Sequence, residues 1–115
     1  VRQAFMMQRL YYGSQITHLD ALRWATSGGA NVLRRPELGC IAEGTQADLA
    51  MFKLDELRFS GYGDPLAALV ICGAHQADRV MVAGSWVVID GQIPGLDLEQ
   101  LKINHQREAK RLKEK

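Results

Sequence analysis

The stretch Asp78-Arg79-Val80-Met81-Val82-Ala83-Gly84-Ser85-Trp86-Val87-Val88-Ile89-Asp90-Gly91 constrains the fold more than any other part of the chain. It reads as two short strands folded back across Ala83-Gly84. A tight turn there needs positive φ, which glycine reaches without a Cβ clash. By strict alternation Val80 and Val82 point one way with Met81 opposite, while Trp86 and Val88 point one way with Val87 and Ile89 opposite. A hairpin with one wet face alternates apolar with polar residues. This one requires cover on both faces.

The rest of the chain offers two obvious sources of cover. Asp48–Leu54 reads as a further strand, again apolar on both faces. Leu66–Cys72 reads as an almost wholly apolar helix, with Asp64 as its cap, Pro65 at its first position and Gly73 as its stop. Together they are expected to cover one face and one edge.

The remaining elements are helical or loop. Val1–Leu10 has helical composition and is ended by Gly13-Ser14, yet no Ser, Thr, Asp or Asn cap precedes it. The expectation is a chain cut from something longer. Thr17-His18-Leu19-Asp20 has the form of a capping box. It opens a helix through Ala21, Leu22, Trp24 and Ala25 that is expected to close at Gly28-Gly29, with a second short helix from Ala30 to Arg34 before Pro36. Residues 38–45 are extended and broken by turns, 58–65 read as loop, and Gln92–Gly95 as a turn. Asp97 caps a last helix with the stripe Leu98, Leu101, His105, Ala109 and Leu112.

Composition narrows the function classes. With 115 residues and 47% hydrophobic content the chain holds one small domain. No apolar run approaches the ~20 residues of a membrane span, and no secretion signal opens the chain. Cys40 and Cys72 stand singly in apolar stretches, which predicts buried, unpaired thiols in a reduced, cytoplasmic setting. Residues 102–115 carry six cations (Lys102, Arg107, Lys110, Arg111, Lys113, Lys115) against Glu108 and Glu114, a net +4. The other 101 residues carry eight cations against eleven anions, a net −3. The tail lacks interleaved aromatics, and its glutamates are spaced for intrahelical pairs. A solvated helix is therefore favoured, and nucleic acid is disfavoured as a partner.

Chemistry is sparse. His18, His75 and His105 form no HxH, HExxH or Cys/His cluster. His75 is the strongest site candidate of the three because it lies on a loop. Asp20, Asp48, Asp64, Asp78 and Asp90 each sit at a helix start or a strand end, where hydrogen bonds from backbone N–H groups account for them. On its residues alone, the sequence offers no catalytic, cofactor-binding or metal-binding residue.

The order of motifs is nevertheless specific. Leu19-Asp20-Ala21-Leu22-Arg23-Trp24-Ala25-Thr26-Ser27-Gly28-Gly29-Ala30 is followed by Leu38-Gly39-Cys40-Ile41-Ala42-Glu43-Gly44-Thr45-Gln46-Ala47-Asp48-Leu49-Ala50. Then come Asp64-Pro65-Leu66-Ala67-Ala68-Leu69-Val70 and the hairpin itself. In this order and spacing they resemble the closing part of the metal-dependent amidohydrolase superfamily. The resemblance covers nearly the whole chain, and the run from Asp64 with the tail Leu96 to His105 is most similar to the 8-oxoguanine deaminase and hydroxytriazine aminohydrolase branch.

The resemblance implies an α/β architecture. Residues 1–36 would be the last helices of a (β/α)8 barrel, 37–95 the C-terminal share of a composite β-sandwich with one inserted helix, and 96–115 a basic C-terminal helix. It implies hydrolytic deamination of a purine- or triazine-like ring by a metal-activated water. The metal, zinc or another divalent ion, would be held by an HxH pair, two later histidines and an aspartate, all upstream of Val1. None of those roles maps onto a residue here. The partners implied are the remainder of the amidohydrolase chain and a small heterocyclic substrate, with assembly into a homo-oligomer left open. The competing reading is a free-standing α/β interaction module with a basic tail.

Overall fold

The computed structural model describes residues 1–114 as five helices and one small antiparallel sheet. Helix α1 spans Arg2–Tyr12 and stops at Gly13, whose φ of 58° continues no helix. The segment His18–Leu33 is one helical run in three parts: α2 (His18–Arg23), a π-turn (Trp24–Gly28) and α3 (Gly29–Leu33). Helix α4 (Pro65–Ala68) likewise passes into a π-turn, Leu69–Gly73. Helix α5 is Leu98–Lys113.

The N-terminal signals act as read. The Thr17 hydroxyl accepts from the Asp20 N–H while the Asp20 carboxylate accepts from the Thr17 N–H, closing a capping box. Asp64 accepts from the N–H groups of Leu66 and Ala67, with Pro65 at N1, and Asp97 accepts from Gln100. The Gly28-Gly29 stop does not hold. Both glycines are right-handed (φ −62° and −61°), and the helix runs on because the π-turn absorbs one extra residue. The run ends instead at Arg34, which takes the left-handed conformation itself (φ 56°).

Strands β1 (Leu49–Met51), β2 (Arg79–Val82) and β3 (Ser85–Val88) pair antiparallel in the order β1-β2-β3. The expected strand 48–54 is thus only three residues long. Ala83 (φ 48°) and Gly84 (φ 80°) are both left-handed, the geometry of a type I′ turn. A register shift between Val80 and Met81 sets Met81 opposite Trp86 but Val80 opposite Val88. Trp86, Val87 and Val88 therefore span what two residues span on β2, and this bulge breaks the expected alternation of Trp86 with Val88. Beyond β3 the chain turns again at Asp90-Gly91, both left-handed, with Ile89 and Gln92 exchanging two hydrogen bonds of 2.9 Å.

The core is small and lies between helices. Phe5 of α1, Ala21 of α2 and Val70 after α4 form one buried cluster, flanked by Ile16 and Leu22. The apolar helix at 66–72 therefore packs against α1 and α2. Val82, Trp86, Val87 and Ile89 in or beside the sheet remain exposed. Phe59, 1% exposed, is buried in the segment expected to be loop, within a single 3₁₀ turn, Leu57–Phe59, and under the Arg58 guanidinium.

The molecule is open. Its accessible surface is 9050 Å², whereas a compact monomer of 12.8 kDa exposes about 6,300 Å². Its radius of gyration is 17.8 Å, against about 13 Å for a compact domain of this length.

Candidate functional site

A groove beside α1 and a set of tethered carboxylates are the features that could host chemistry. This groove, of ≈ 630 Å³, runs between α1 and the turn that ends the α4 segment. Met6, Met7 and Leu10 of α1 line it with Leu69, Arg2 and His75. The α1 backbone places these side chains because positions 3, 6, 7 and 10 fall on one side of a helix of 3.6 residues per turn. The opposite side sends Phe5 into the core. His75 thus borders an apolar groove in which Arg2 is the other charged side chain among the lining residues.

The other two histidines lie elsewhere. The His18 Nε2 stands 3.0 Å from Oδ2 of Asp64, tying the first turn of α2 to the cap of α4. His105 lies on α5 beside Leu98 and Leu101. The three histidines are not brought together, and no group of three or more metal-ligating side chains exists among the described residues. The residues present do not fit the metal centre that the resemblance implies.

The carboxylates are held by backbone and side-chain donors. Asp48 Oδ1 accepts from the Ala83 N–H at 2.7 Å and from the Gln46 amide at 2.9 Å. These two bonds hold its pKa below the ordinary carboxylate value, the Ala83 bond most strongly. Asp64 is lowered first by the N–H groups of Ala67 and Leu66, with His18 a smaller influence. Asp20 is lowered by the Thr17 hydroxyl, then by the Thr17 N–H, with Arg23 contributing less. Asp78 and Asp90 depart from the expected pattern. Asp78 pairs with Lys53 at 2.6 Å, which raises the Lys53 pKa, and Asp90 faces Arg79 at 3.8 Å. Salt bridges with flexible, half-exposed side chains replace the backbone donors there.

Cys72 is half-buried and free, but Cys40 is exposed, against the expectation of burial. Its neighbours through residue 44 are exposed as well.

Two connections escaped the sequence. Arg35 pairs with Glu37 and donates to Gln46 at 3.2 Å, so the end of α3 is linked through Gln46 and Asp48 to the hairpin turn. Gln76 donates to the Gly91 carbonyl at 2.7 Å, bracing the second turn. Their longer bonds join positions 11, 15 and 35 apart, separations at which no local pattern exists to be read.

These features define a scaffold of helices and sheet with capped termini, large uncovered apolar surfaces and no ligand cluster among the described residues. The chain belongs to the Amidohydrolase family, whose profile matches residues 1–87. It is 56% identical over 112 residues to the 8-oxoguanine deaminase of Pseudomonas aeruginosa, covering 96% of this chain and 25% of that protein. It is 34% identical to a hydroxydechloroatrazine ethylaminohydrolase of a Pseudomonas species, over 88% of this chain and 22% of that protein. Among solved structures, a zinc-bound adenosine deaminase from Xanthomonas campestris superposes with a TM-score of 0.90 at 25% identity, over 99% of this chain and 27% of that one. A mutant atrazine chlorohydrolase from Arthrobacter aurescens, complexed with zinc and atraton, gives 0.82 at 32% identity, over 92% and 24%. The chain spans about a quarter of the length of the curated relatives it matches.

Proposed function

We propose that this chain is the closing, structural portion of a metal-dependent deaminase acting on a purine- or triazine-like ring. In this reading residues 1–36 complete a (β/α)8 barrel, 37–95 supply part of a composite β-sandwich, and 96–115 form an appended helix. The hydrolytic water would be activated at a zinc or other divalent-metal centre built from residues outside this chain. By itself the chain would neither deaminate nor hold zinc.

The 56% identity to an 8-oxoguanine deaminase across nearly the whole chain carries this reading. Surface area supports it independently. About 2,800 Å² beyond that of a compact monomer is more than three times the ~800 Å² one partner gives to a standard interface. Exposed apolar residues lie on α1, on the sheet and on α5, so one docked copy cannot cover them all. A large body enclosing several faces can. A free-standing module of 115 residues would leave that surface uncovered.

The test is a chimera. The matching quarter of the Pseudomonas aeruginosa 8-oxoguanine deaminase is replaced by residues 1–115, and ammonia release from 8-oxoguanine is followed beside the isolated chain with added zinc. The expected outcome is an active, zinc-loaded chimera and an inert isolated chain. A folded but inactive chimera overturns the reading, as does stoichiometric zinc in the isolated chain.

A further inference from the structure

Asp90-Gly91 is the only Asp-Gly or Asn-Gly step in the sequence. It makes the second turn, between Ile89 and Gln92, and both of its residues are left-handed (φ 51° and 72°). An aspartate that precedes glycine can react with its own backbone, because no Cβ on the next residue keeps the carboxyl from the following nitrogen. The Asp90 side chain is exposed, and the cation facing it is Arg79, with Nη2 at 3.8 Å. An exposed pair at that distance restrains a side chain only weakly.

Gly91 has no such freedom. Its N–H donates to the Asp78 carbonyl at 2.8 Å, and its own carbonyl accepts from Gln76 Nε2 at 2.7 Å. The Gln76 amide also lies close over the glycine, since a Cβ added at residue 91 would lie 2.5 Å from Gln76 Nε2. The two peptide planes that meet at Gly91 are therefore both held. The nitrogen that would attack Asp90 is committed to another acceptor, and the turn has to open before it can react.

We propose that Asp90 is a site of spontaneous isomerisation to isoaspartate, and that the Gln76–Gly91 hydrogen bond is the catch that keeps it slow in the folded chain. The carboxylate first takes one proton from solvent. The Gly91 nitrogen then bonds to Asp90 Cγ, and the amide hydrogen leaves with the carboxyl hydroxyl as water, closing a five-membered imide. A second water breaks the former peptide bond between the Asp90 carbonyl carbon and the Gly91 nitrogen, and the solvent proton is returned. The chain stays joined through Cγ. Nothing is oxidised or reduced, and mass and charge end as they began. The product has one extra main-chain carbon in a two-residue turn, so the paired bonds of Ile89 and Gln92 lose their register. All the reacting atoms belong to one turn and to water, so the inference stands apart from the deaminase reading.

Warming the full chain at neutral pH and digesting it with trypsin tests this. The peptide Val80–Lys102 carries Asp90 and, as an internal control, Asp97, which precedes leucine. Electron-transfer fragmentation separates isoaspartate from aspartate at each position. Asp90 is expected to convert while Asp97 does not, and to convert faster in urea than in buffer. Q76L keeps the bulk of the side chain but cannot donate. It should convert about fivefold faster than the parent, the change in opening that loss of one ordinary hydrogen bond brings, with unchanged far-ultraviolet circular dichroism. D90E, which would have to close a six-membered ring, gives no product. Should Q76L lose its helical signal, the urea-to-buffer ratio of the parent decides. No isoaspartate at residue 90 in urea, conversion of Asp97 as fast as Asp90, equal rates in folded Q76L and parent, or equal parent rates in urea and buffer each overturns the proposal.

Discussion

The carboxylate of Asp48 reaches across 35 residues of chain to accept the Ala83 N–H at 2.7 Å, and the neighbouring Ala47 carbonyl accepts from Gly84 at 3.1 Å. The residue preceding β1 thereby closes the turn between β2 and β3. Both turn residues have positive φ, a conformation that leaves an alanine strained. The Asp48 bond supplies the turn's N–H with a charged acceptor and locks β1 to the hairpin that it borders.

Removing that acceptor should loosen the turn before it loosens the helices. In D48A the amides of Ala83 and Gly84 are expected to exchange with solvent faster than in the parent, while those of α1 keep their protection. Native-state hydrogen exchange reads this directly. Unchanged exchange at Ala83 would show that the turn stands without Asp48.

The same carboxylates set a response to acid. Asp20, Asp48 and Asp64 all have folded pKa values below the ordinary 3.8. A depressed carboxylate contributes stability that is present above its unfolded pKa and is lost as the pH falls through the folded value. Helical circular dichroism should therefore hold down to about pH 4 and decline below it. The double variant D48N/D64N, unable to ionise at either position, should show a shallower decline from a lower starting stability.

Gly39 and Gly84 have the same φ of 80° but different surroundings. A Cβ on Gly39 would lie 2.7 Å from the Thr26 carbonyl carbon and oxygen, where the 38–45 segment crosses the π-turn, whereas one on Gly84 would meet nothing within 4 Å. Gly84→Ala should cost about 1–2 kcal/mol, the strain of a left-handed alanine. Gly39→Ala should cost more, because backbone has to move as well. Urea denaturation of the two variants separates these effects, and equal midpoints would refute the close packing of Gly39 on Thr26.

The parts of the fold that could be read in advance are those governed by neighbours in sequence. Thr17 with Asp20, Asp64 with Pro65, Asp97 and the Ala83-Gly84 turn each announce a cap or reversal within four residues. What stayed hidden depends on contacts between distant segments. The π-turn at Trp24–Gly28 overrides the Gly28-Gly29 stop, with Gly39 packed against its backbone. Phe59 is buried from a stretch whose glycines and proline read as loop, and the bulge at Val87 follows from pairing rather than alternation. The ion pairs of Asp78 and Asp90 are hidden for the same reason: Lys53 and Arg79 are placed by the sheet. The family signal was legible because it is a sequence of such local motifs in fixed order.

The core makes a sharper demand on Phe5. It is 3% exposed and anchors the buried cluster that joins α1, α2 and the α4 segment, with Arg9 lying 5.5 Å over its ring. Burying phenylalanine and then truncating it to alanine costs about 3–5 kcal/mol, a large share of the 5–15 kcal/mol that typical domains possess. F5A should therefore lose its cooperative thermal transition, whereas M7A, on the exposed side of the same helix, should keep it. A cooperative transition retained in F5A would mean that α1 is held by something other than this cluster.

Ala83 offers the opposite experiment, a substitution that should stabilise. Its φ of 48° is a conformation that asparagine tolerates better than alanine, and Asn-Gly is the preferred pair for a type I′ turn. The side chain is exposed, so asparagine displaces no neighbour, and its backbone N–H remains available to Asp48. Ala83→Asn should raise stability by about 0.5–1 kcal/mol, the size of comparable backbone-matched changes, measured as an increase in the urea midpoint with an unchanged slope. In the D48A background the gain should persist, because relief of strain at Ala83 does not depend on the acceptor. Loss of the gain in that background would instead show that Asp48, and not the residue at 83, holds the turn in its left-handed form.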